Sequence, residues 1–556
     1  MKTRVILLAI AWLSVVSVWA APALTTPAEA KRFSTYTTYD EVLAFLSALA
    51  AADPRIRVGV AGHTLEGASQ GARGRDFVCC RVASSPVPGA PRRKLRVMVT
   101  ASQHGDEQSG VEAVLRLLRD VSAGRTNDLL RELELLVFPT ANPWGTDRNR
   151  RENEQGLDLN RDHIKLEAPQ TESMHRIFAS WLPEVTYDLH EKGFDYYQVN
   201  VGTVTNLNIH PEIAAFSRRL ILPAMEKQLI ERSLTFHEYI IQSYSGDVSA
   251  AGVLLPDPGK REDLYRWSTT DINDGRNSYG IFGTFSFIQE IASRGDLASY
   301  GERVGHQFEG LLAFLRTTAA NAAAIQAIVS ASRERLAQPA AGQGDVILRM
   351  EYVRDPAAPT LRIMRLSAEP EALGTARRDI AKGEAVTSAD LQAADGKRQA
   401  REKVLSAWYP RVEARLVRSR PAGYLIPADR AAVADLLVSL GVQVSIVDRG
   451  PTAAAQAYRL VAVTPAGADY LAPSAIQVEA LPVSAGARNG DFFVSTSQPA
   501  AALIALLLEP ESEFGLVRYG KFKLDPRPGI LHPILRLERT PAWSLIPYRR
   551  FAFFGF

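Results

Sequence analysis

The stretch LRVMVTASQHGDEQSGVEAVLRLLRDV, residues 95–121, decides the reading of the fold. Leu95 to Thr100 is an apolar run of strand length, and Ser109 to Val121 carries a helical pattern. Between them a short polar loop holds His104 and Glu107. The alternation continues on both sides. Strand patterns lie at Arg55 to Ala61, Arg75 to Val82, Leu133 to Phe138, Val185 to Leu189 and Thr284 to Ile288. Helical patterns lie at Tyr39 to Ala51, Gln170 to Trp181, Pro211 to Arg232 and Tyr300 to Thr317. Such a series predicts an α/β domain over 33–318, with a mixed, mostly parallel sheet flanked by helices. In that architecture ligands sit beyond the carboxyl ends of the strands, where His104 and Glu107 fall.

The rest of the chain is organised around this domain. At 556 residues it exceeds one core. Residues 319–344 read as a helix and linker ending in AQPAAGQGD, and 345–556 as a C-terminal α/β accessory domain. Within it, 423–447 reads as strand, helix, strand, and 491–512 as a strand and a helix. The closing FAFFGF (551–556) reads as a terminal strand of its own domain. Residues 1–20 form a basic start and an apolar stretch ending in small residues, the pattern of a signal peptide cut after Ala20. This predicts export to a periplasm or exterior with no stable membrane span after cleavage. A net charge of +3 implies no nucleic-acid partner. Cys79 and Cys80 are neighbours in a strand pattern and point to opposite faces, so no disulfide joins them.

A His-x-x-Glu pair is weak evidence alone, and the chain carries three: His63/Glu66, His104/Glu107 and His306/Glu309. The first reads as turn chemistry beside Gly62 and Gly67, and the last as neighbours on a helix surface. His104 and Glu107 occupy the favoured loop, and a catalytic zinc needs a third ligand while keeping a position open for water. His190, at the end of the Val185 strand, supplies it, with Asp188 placed to orient its ring. Glu290, at the end of the Thr284 strand, brings a carboxylate to the same sheet edge, where it can take a proton from a metal-activated water. Residues 142–162, NPWGTDRNRRENEQGLDLNRD, add four arginines beside this loop. Guanidinium groups there suit an anion pocket, although Arg148 and Arg150 read better as turn and surface ion-pair residues.

In order, HGDE, NPWG, RENEQGLDLNRD, DLHE and FSFIQEIASRG resemble the zinc carboxypeptidase family over residues 35 to 315. The resemblance implies a zinc-carboxypeptidase-like sandwich and one zinc ion held by His104, Glu107 and His190. It implies Glu290 as general base, Arg151 as the group that stabilises the oxyanion, and Asn160 and Arg161 as the grip on a substrate's free C-terminal carboxylate. It also implies a substrate-capping tyrosine, for which Tyr279 is the candidate, although it lies closer to Glu290 than the family pattern has it. The expected partner is a peptide, including cell-wall peptides. Two other functions compete. Deacylases of the aspartoacylase and succinylglutamate desuccinylase group share an HxxE and a later His but act on N-acyl amino acids, and a non-catalytic secreted binding protein is the third reading. The leader and the full DLNR element favour the peptidase.

Overall fold

The computed structural model describes residues 24–65, 74–84, 93–193, 195–244, 263–339, 344–367, 399–464, 476–486 and 488–548. The leader, Glu66, residues 340–343 of the linker and the closing FAFFGF lie outside the described residues. Among the described residues of the first part of the chain ten strands form: β1 (Ile56–His63), β2 (Asp76–Val82), β3 (Leu95–Ala101), β4 (Leu133–Phe138), β5 (Val185–Gly193), β6 (Val199–Thr203), β7 (Phe236–Glu238), β8 (Ile240–Tyr244), β9 (Asp263–Trp267) and β10 (Phe285–Ser293). Eight of them make one sheet in the order β1-β2-β4-β3-β5-β10-β6-β7. The pairs β4–β3, β3–β5, β5–β10 and β6–β7 are parallel and the others antiparallel, so the sheet is mixed and mostly parallel. The central strands are buried on both faces, as their continuous apolar runs require.

Helices α1 (Tyr39–Ala52), α2 (Ser109–Ser122), α3 (Pro169–Trp181), α4 (Gly275–Gly280), α5 (Tyr300–Ala320) and α6 (Ala322–Ala337) cover the sheet. Helix α5 packs against α2 and lays Phe314 on Tyr187 of β5, ring centroids 3.7 Å apart. Two expectations change here. The single helix predicted over Pro211 to Arg232 is broken into Pro211–Phe216, a π-turn at Ser217–Ile221 and Leu222–Glu231. Pro223 has no N–H to give the preceding turn, so the ladder is interrupted there. Strands β5 and β10 also run further than their apolar runs, so His190 and Glu290 lie inside paired strands and not just past their ends. They sit opposite each other in the parallel register.

Beyond residue 344 the pairings are antiparallel except that of Trp408–Tyr409, which lies parallel to β9. Asp345–Val353 pairs with Arg411–Ser419, and Leu361–Ser367 with Gln399–Leu405. A seven-stranded sheet follows in which every pairing is antiparallel. Its strands Gly423–Ile426 and Ser445–Arg449, with the helix Ala431–Ser439 between them, are separated by Phe492–Ser495, which pairs with both. The fully buried helix Ala501–Leu508 belongs to the same apolar core as Tyr39, Leu115 and Phe178. This part is also hydrogen-bonded to the first: Asn208 exchanges two bonds with the Ile347 backbone, both 2.9 Å.

Candidate active site

The loop between β3 and α2 is braced by the chain that follows β4. The N–H groups of Ala141 and Asn142 donate to the carbonyls of Ala101 and Ser102 at 2.8 and 3.0 Å. Asn142 then caps the helix Pro143–Arg148 by accepting from the Gly145 N–H at 2.9 Å, while its Nδ2 donates to the Arg151 carbonyl at 3.1 Å. Gly105 passes so close to this brace that a Cβ would sit 2.1 Å from the Gly145 carbonyl carbon. The Gly of HGDE is thus a packing requirement, and so is the NPWG turn beneath it.

Three side chains converge above the brace. His104 Nδ1 lies 2.7 Å from Glu107 Oε1, His190 Nδ1 lies 2.8 Å from Glu107 Oε2, and the two Nδ1 atoms are 3.1 Å apart. Among the described residues these three form the group of His and carboxylate ligand atoms that can share one ion, all within 4.8 Å of one another. Each ring turns its other nitrogen to a carboxylate: His104 Nε2 to Asp158 at 3.1 Å, His190 Nε2 to Asp188 at 2.7 Å. A neutral imidazole that donates through Nε2 has its lone pair on Nδ1, so both lone pairs and the Glu107 carboxylate point at one place. That is a donor set of two nitrogens and a carboxylate, the chemistry a zinc site requires. The electrostatics agree. Burial pushes the Glu107 carboxyl up, but His104 and His190 outweigh it and hold it well below the usual range. Burial disfavours charge on His190, yet Asp188 and Glu107 hold its pKa well above the ordinary value. The pocket is built for positive charge.

Around this triad stand the other predicted residues. Glu290 is buried beside His190, and burial, reinforced by Glu107 and opposed by both histidines, raises its pKa to about 7. Burial, with the Glu290 carboxylate nearby, raises the pKa of the Tyr239 hydroxyl well above its ordinary value. Arg151, with its side chain 39% exposed, bonds Asp158 Oδ2 through Nε at 3.0 Å and places NH1 3.5 Å from Glu107 Oε1. Asn160 and Arg161 lie on the 3₁₀ turn Leu159–Arg161; Asn160 Oδ1 accepts from the Gly275 N–H at 2.9 Å, and Arg161 NH1 donates to the Asn160 carbonyl at 2.6 Å.

Tyr279 requires a correction. Its ring, 4% exposed, is packed on Phe178 and His175 with centroids 4.6 and 4.9 Å away, so it covers the interior and offers no hydroxyl to a substrate. The helical position of Tyr279 on α4 turns it under the site. Of the other His-x-x-Glu pairs, Glu66 lies outside the described residues and His63 Nδ1 lies 3.1 Å from Asp76 Oδ1, while His306 and Glu309 approach Glu302 and Arg232 instead of each other. Sequence reasoning assigned no role to Asp158, although it stands inside the DLNR element, nor to Tyr239, which no motif marks.

The buried His104–Glu107–His190 set, its rings oriented by carboxylates, fits a metal ion of the kind metallohydrolases use. Residues 42–186 match the family described as zinc carboxypeptidase. The chain is 27% identical over 541 residues to carboxypeptidase 2 of Trichophyton tonsurans, covering 93% of this chain and 90% of the relative. It is 30% identical over 301 residues to the probable carboxypeptidase 2 of Trichophyton verrucosum, covering 51% of this chain and 55% of that one. Among solved structures it is similar to a putative carboxypeptidase A from Shewanella denitrificans, at 21% identity over 53% of this chain and 71% of that one, with a TM-score of 0.38. The match to the zinc carboxypeptidase family over residues 42–186 and the likeness to carboxypeptidases along most of the chain support a zinc metallocarboxypeptidase.

Proposed function

We propose that this metallocarboxypeptidase removes C-terminal residues from exported or extracellular peptides, cell-wall peptides among them, with one zinc ion held by His104, Glu107 and His190. The observation that carries the reading is the convergence of both imidazole Nδ1 atoms on the Glu107 carboxylate, with Glu290 in register beside His190. Zinc bound there supplies Lewis acidity, polarising a carbonyl and bringing a water within reach of deprotonation near neutral pH. Glu290 takes the proton of the attacking water and passes it to the leaving amine; its raised pKa makes it an effective carrier in both directions. Arg151, partly exposed at the rim, faces the carbonyl oxygen as it gains charge. Arg161 and Asn160 hold the terminal carboxylate of the substrate, which places the last peptide bond over the triad.

Mass spectrometry of a peptide library with free and amidated C-termini, mixed with N-acyl amino acids, tests this. Loss of single C-terminal residues only from free ends, and only with metal, is expected. Cleavage confined to N-acyl amino acids would sink the peptidase reading. Arg161→Ala is expected to raise KM for free-ended peptides by about tenfold or more, the value of one charge-assisted contact; an equal effect on amidated peptides would refute the carboxylate role.

We propose export by the leader at residues 1–20. No single helix among the described residues is long and apolar enough to cross a membrane. The N-terminus of the protein recovered from its producing cell is expected to be Ala21, and a start at Met1 would overturn this.

A further inference from the structure

Behind the metal triad a buried chain of hydrogen bonds runs away from the open side of the site. Asp188 Oδ2 receives His190 Nε2 at 2.7 Å and Gln103 Nε2 at 2.5 Å. Gln103 Oε1 lies 2.9 Å from His163 Nε2, and His163 Nδ1 lies 2.9 Å from His175 Nε2. Gln103, His163 and His175 are all at most 1% exposed. We infer that Gln103, His163 and His175 are positioning residues that fix the ring of His190 for metal binding and tie the triad to the turn carrying Asn160 and Arg161. This inference rests on the proposed metal site.

The direction of every bond follows by elimination. A carboxylate only accepts, so His190 Nε2 and Gln103 Nε2 both carry hydrogen toward Asp188. The Gln103 amide therefore presents its oxygen to His163, and a flipped amide would set that oxygen against Asp188. His163 Nε2 must then donate. Burial, with His175 beside it, drives the His163 pKa well below the ordinary value, and burial lowers that of His175 to about 3, so both rings are neutral. A neutral His163 that donates through Nε2 accepts at Nδ1, and His175 donates from Nε2. The chain is thus one-way, and its last link commits Nε2 of His190 to hydrogen, so that the neutral ring has its lone pair on Nδ1, facing Glu107 and His104.

Packing joins this chain to the substrate side. A Cβ on Gly275 would lie 3.1 Å from His163 Cε1 and Nε2 and 3.3 Å from Gln103 Nε2, so the Gly275 backbone passes directly over the Gln103–His163 bond. The N–H of the same residue donates to Asn160 Oδ1 at 2.9 Å. The Tyr279 ring lies 4.9 Å from that of His175 and 5.5 Å from that of His163, closing the chain from water.

The test compares His163→Phe, which keeps an aromatic ring but loses both nitrogens, with His163→Gln, whose amide nitrogen can occupy the place of Nε2. Zinc affinity is measured by chelator competition, and ligand geometry by the visible spectrum of the cobalt-loaded protein. Expected are a loss of roughly tenfold or more in affinity for His163→Phe, the scale of groups that orient a metal ligand, a changed cobalt spectrum, and recovery of most of both in His163→Gln. Gln103→Met, which interrupts the same chain at its other link, decides the matter if His163→Phe does not fold, and the same loss is expected. Wild-type affinity and spectrum in a folded His163→Phe or Gln103→Met protein would overturn the inference, as would equal losses in the Phe and Gln variants, which mark packing alone. A wild-type protein that binds neither metal would instead sink the metal-site reading beneath it.

Discussion

Glu290→Gln is expected to lower kcat by about 10²- to 10⁴-fold while leaving KM and bound metal nearly unchanged, because the amide fills the same space but cannot take a proton. Steady-state kinetics beside metal analysis checks this, and near-normal turnover with metal in place would show that the base is elsewhere. The pH dependence has a fixed sign. The base works only when ionised, so activity is lost as pH falls through its pKa. Burial raises that value to about 7 against the pull of His190 and His104; a metal ion at the triad favours the ionised form further, so the acid limb of kcat/KM in the loaded enzyme lies below this. The same burial has an opposite effect on stability. A carboxyl whose folded pKa is raised binds more protons folded than unfolded, so its burial costs nothing at low pH and progressively more between the unfolded value and about 7. Metal-free Glu290→Gln is therefore expected to be more stable than metal-free wild type above pH 7, by at most about 3 kcal/mol, with the difference vanishing near pH 4. Activity here is bought with stability.

Why some of this was legible in the sequence and some not follows from the range of the forces involved. The strand–loop–helix unit at 95–121 is local: an apolar run, a polar loop and a helix follow from adjacent residues, and the structure places them within a residue of the sequence expectation at Leu95–Ala101 and Ser109–Ser122. His190 and Glu290 were findable because the ends of apolar runs announce a sheet edge, although parallel pairing carries both strands past that signal. The orientation of Tyr279 was not findable, since spacing along the chain says nothing of which way a six-residue helix faces. The Gln103–His163–His175 chain was equally hidden: its members come from a loop, a turn and α3, and only folding makes them neighbours. Beyond residue 344, strands such as Gln399–Leu405 and Arg411–Ser419 have largely exposed, charged faces, so no apolar periodicity marks them. There the antiparallel ladder is set by partners distant in sequence.

Removal of the metal is expected to abolish peptide hydrolysis, and reloading with zinc to restore it. The triad without an ion is a costly arrangement: two Nδ1 atoms 3.1 Å apart, with Glu107, Asp158 and Asp188 gathered around two buried rings. Some positive charge must occupy the cluster. Protons on the imidazoles do this in the empty protein, while a dication satisfies both lone pairs and the carboxylate at once. Binding therefore releases protons, and zinc affinity is expected to fall as pH is lowered, since the ligands must be deprotonated. Because the unfolded chain has no such cluster, metal also stabilises the fold, by about 4 kcal/mol when free zinc is a thousand times its dissociation constant. Calorimetry with and without chelator should show a loss of several degrees in Tm, roughly the scale expected of that energy in a large domain. His190→Ala tests whether the three side chains act as one site, for it removes a ligand and strands Asp188, already held by Gln103, with one partner fewer. It should lose both metal and activity, whereas His306→Ala, whose ring faces Gln198 and Glu302, should keep both. Hydrolysis that survives exhaustive chelation, or metal lost on His306→Ala and kept on His190→Ala, would place the centre elsewhere in the chain.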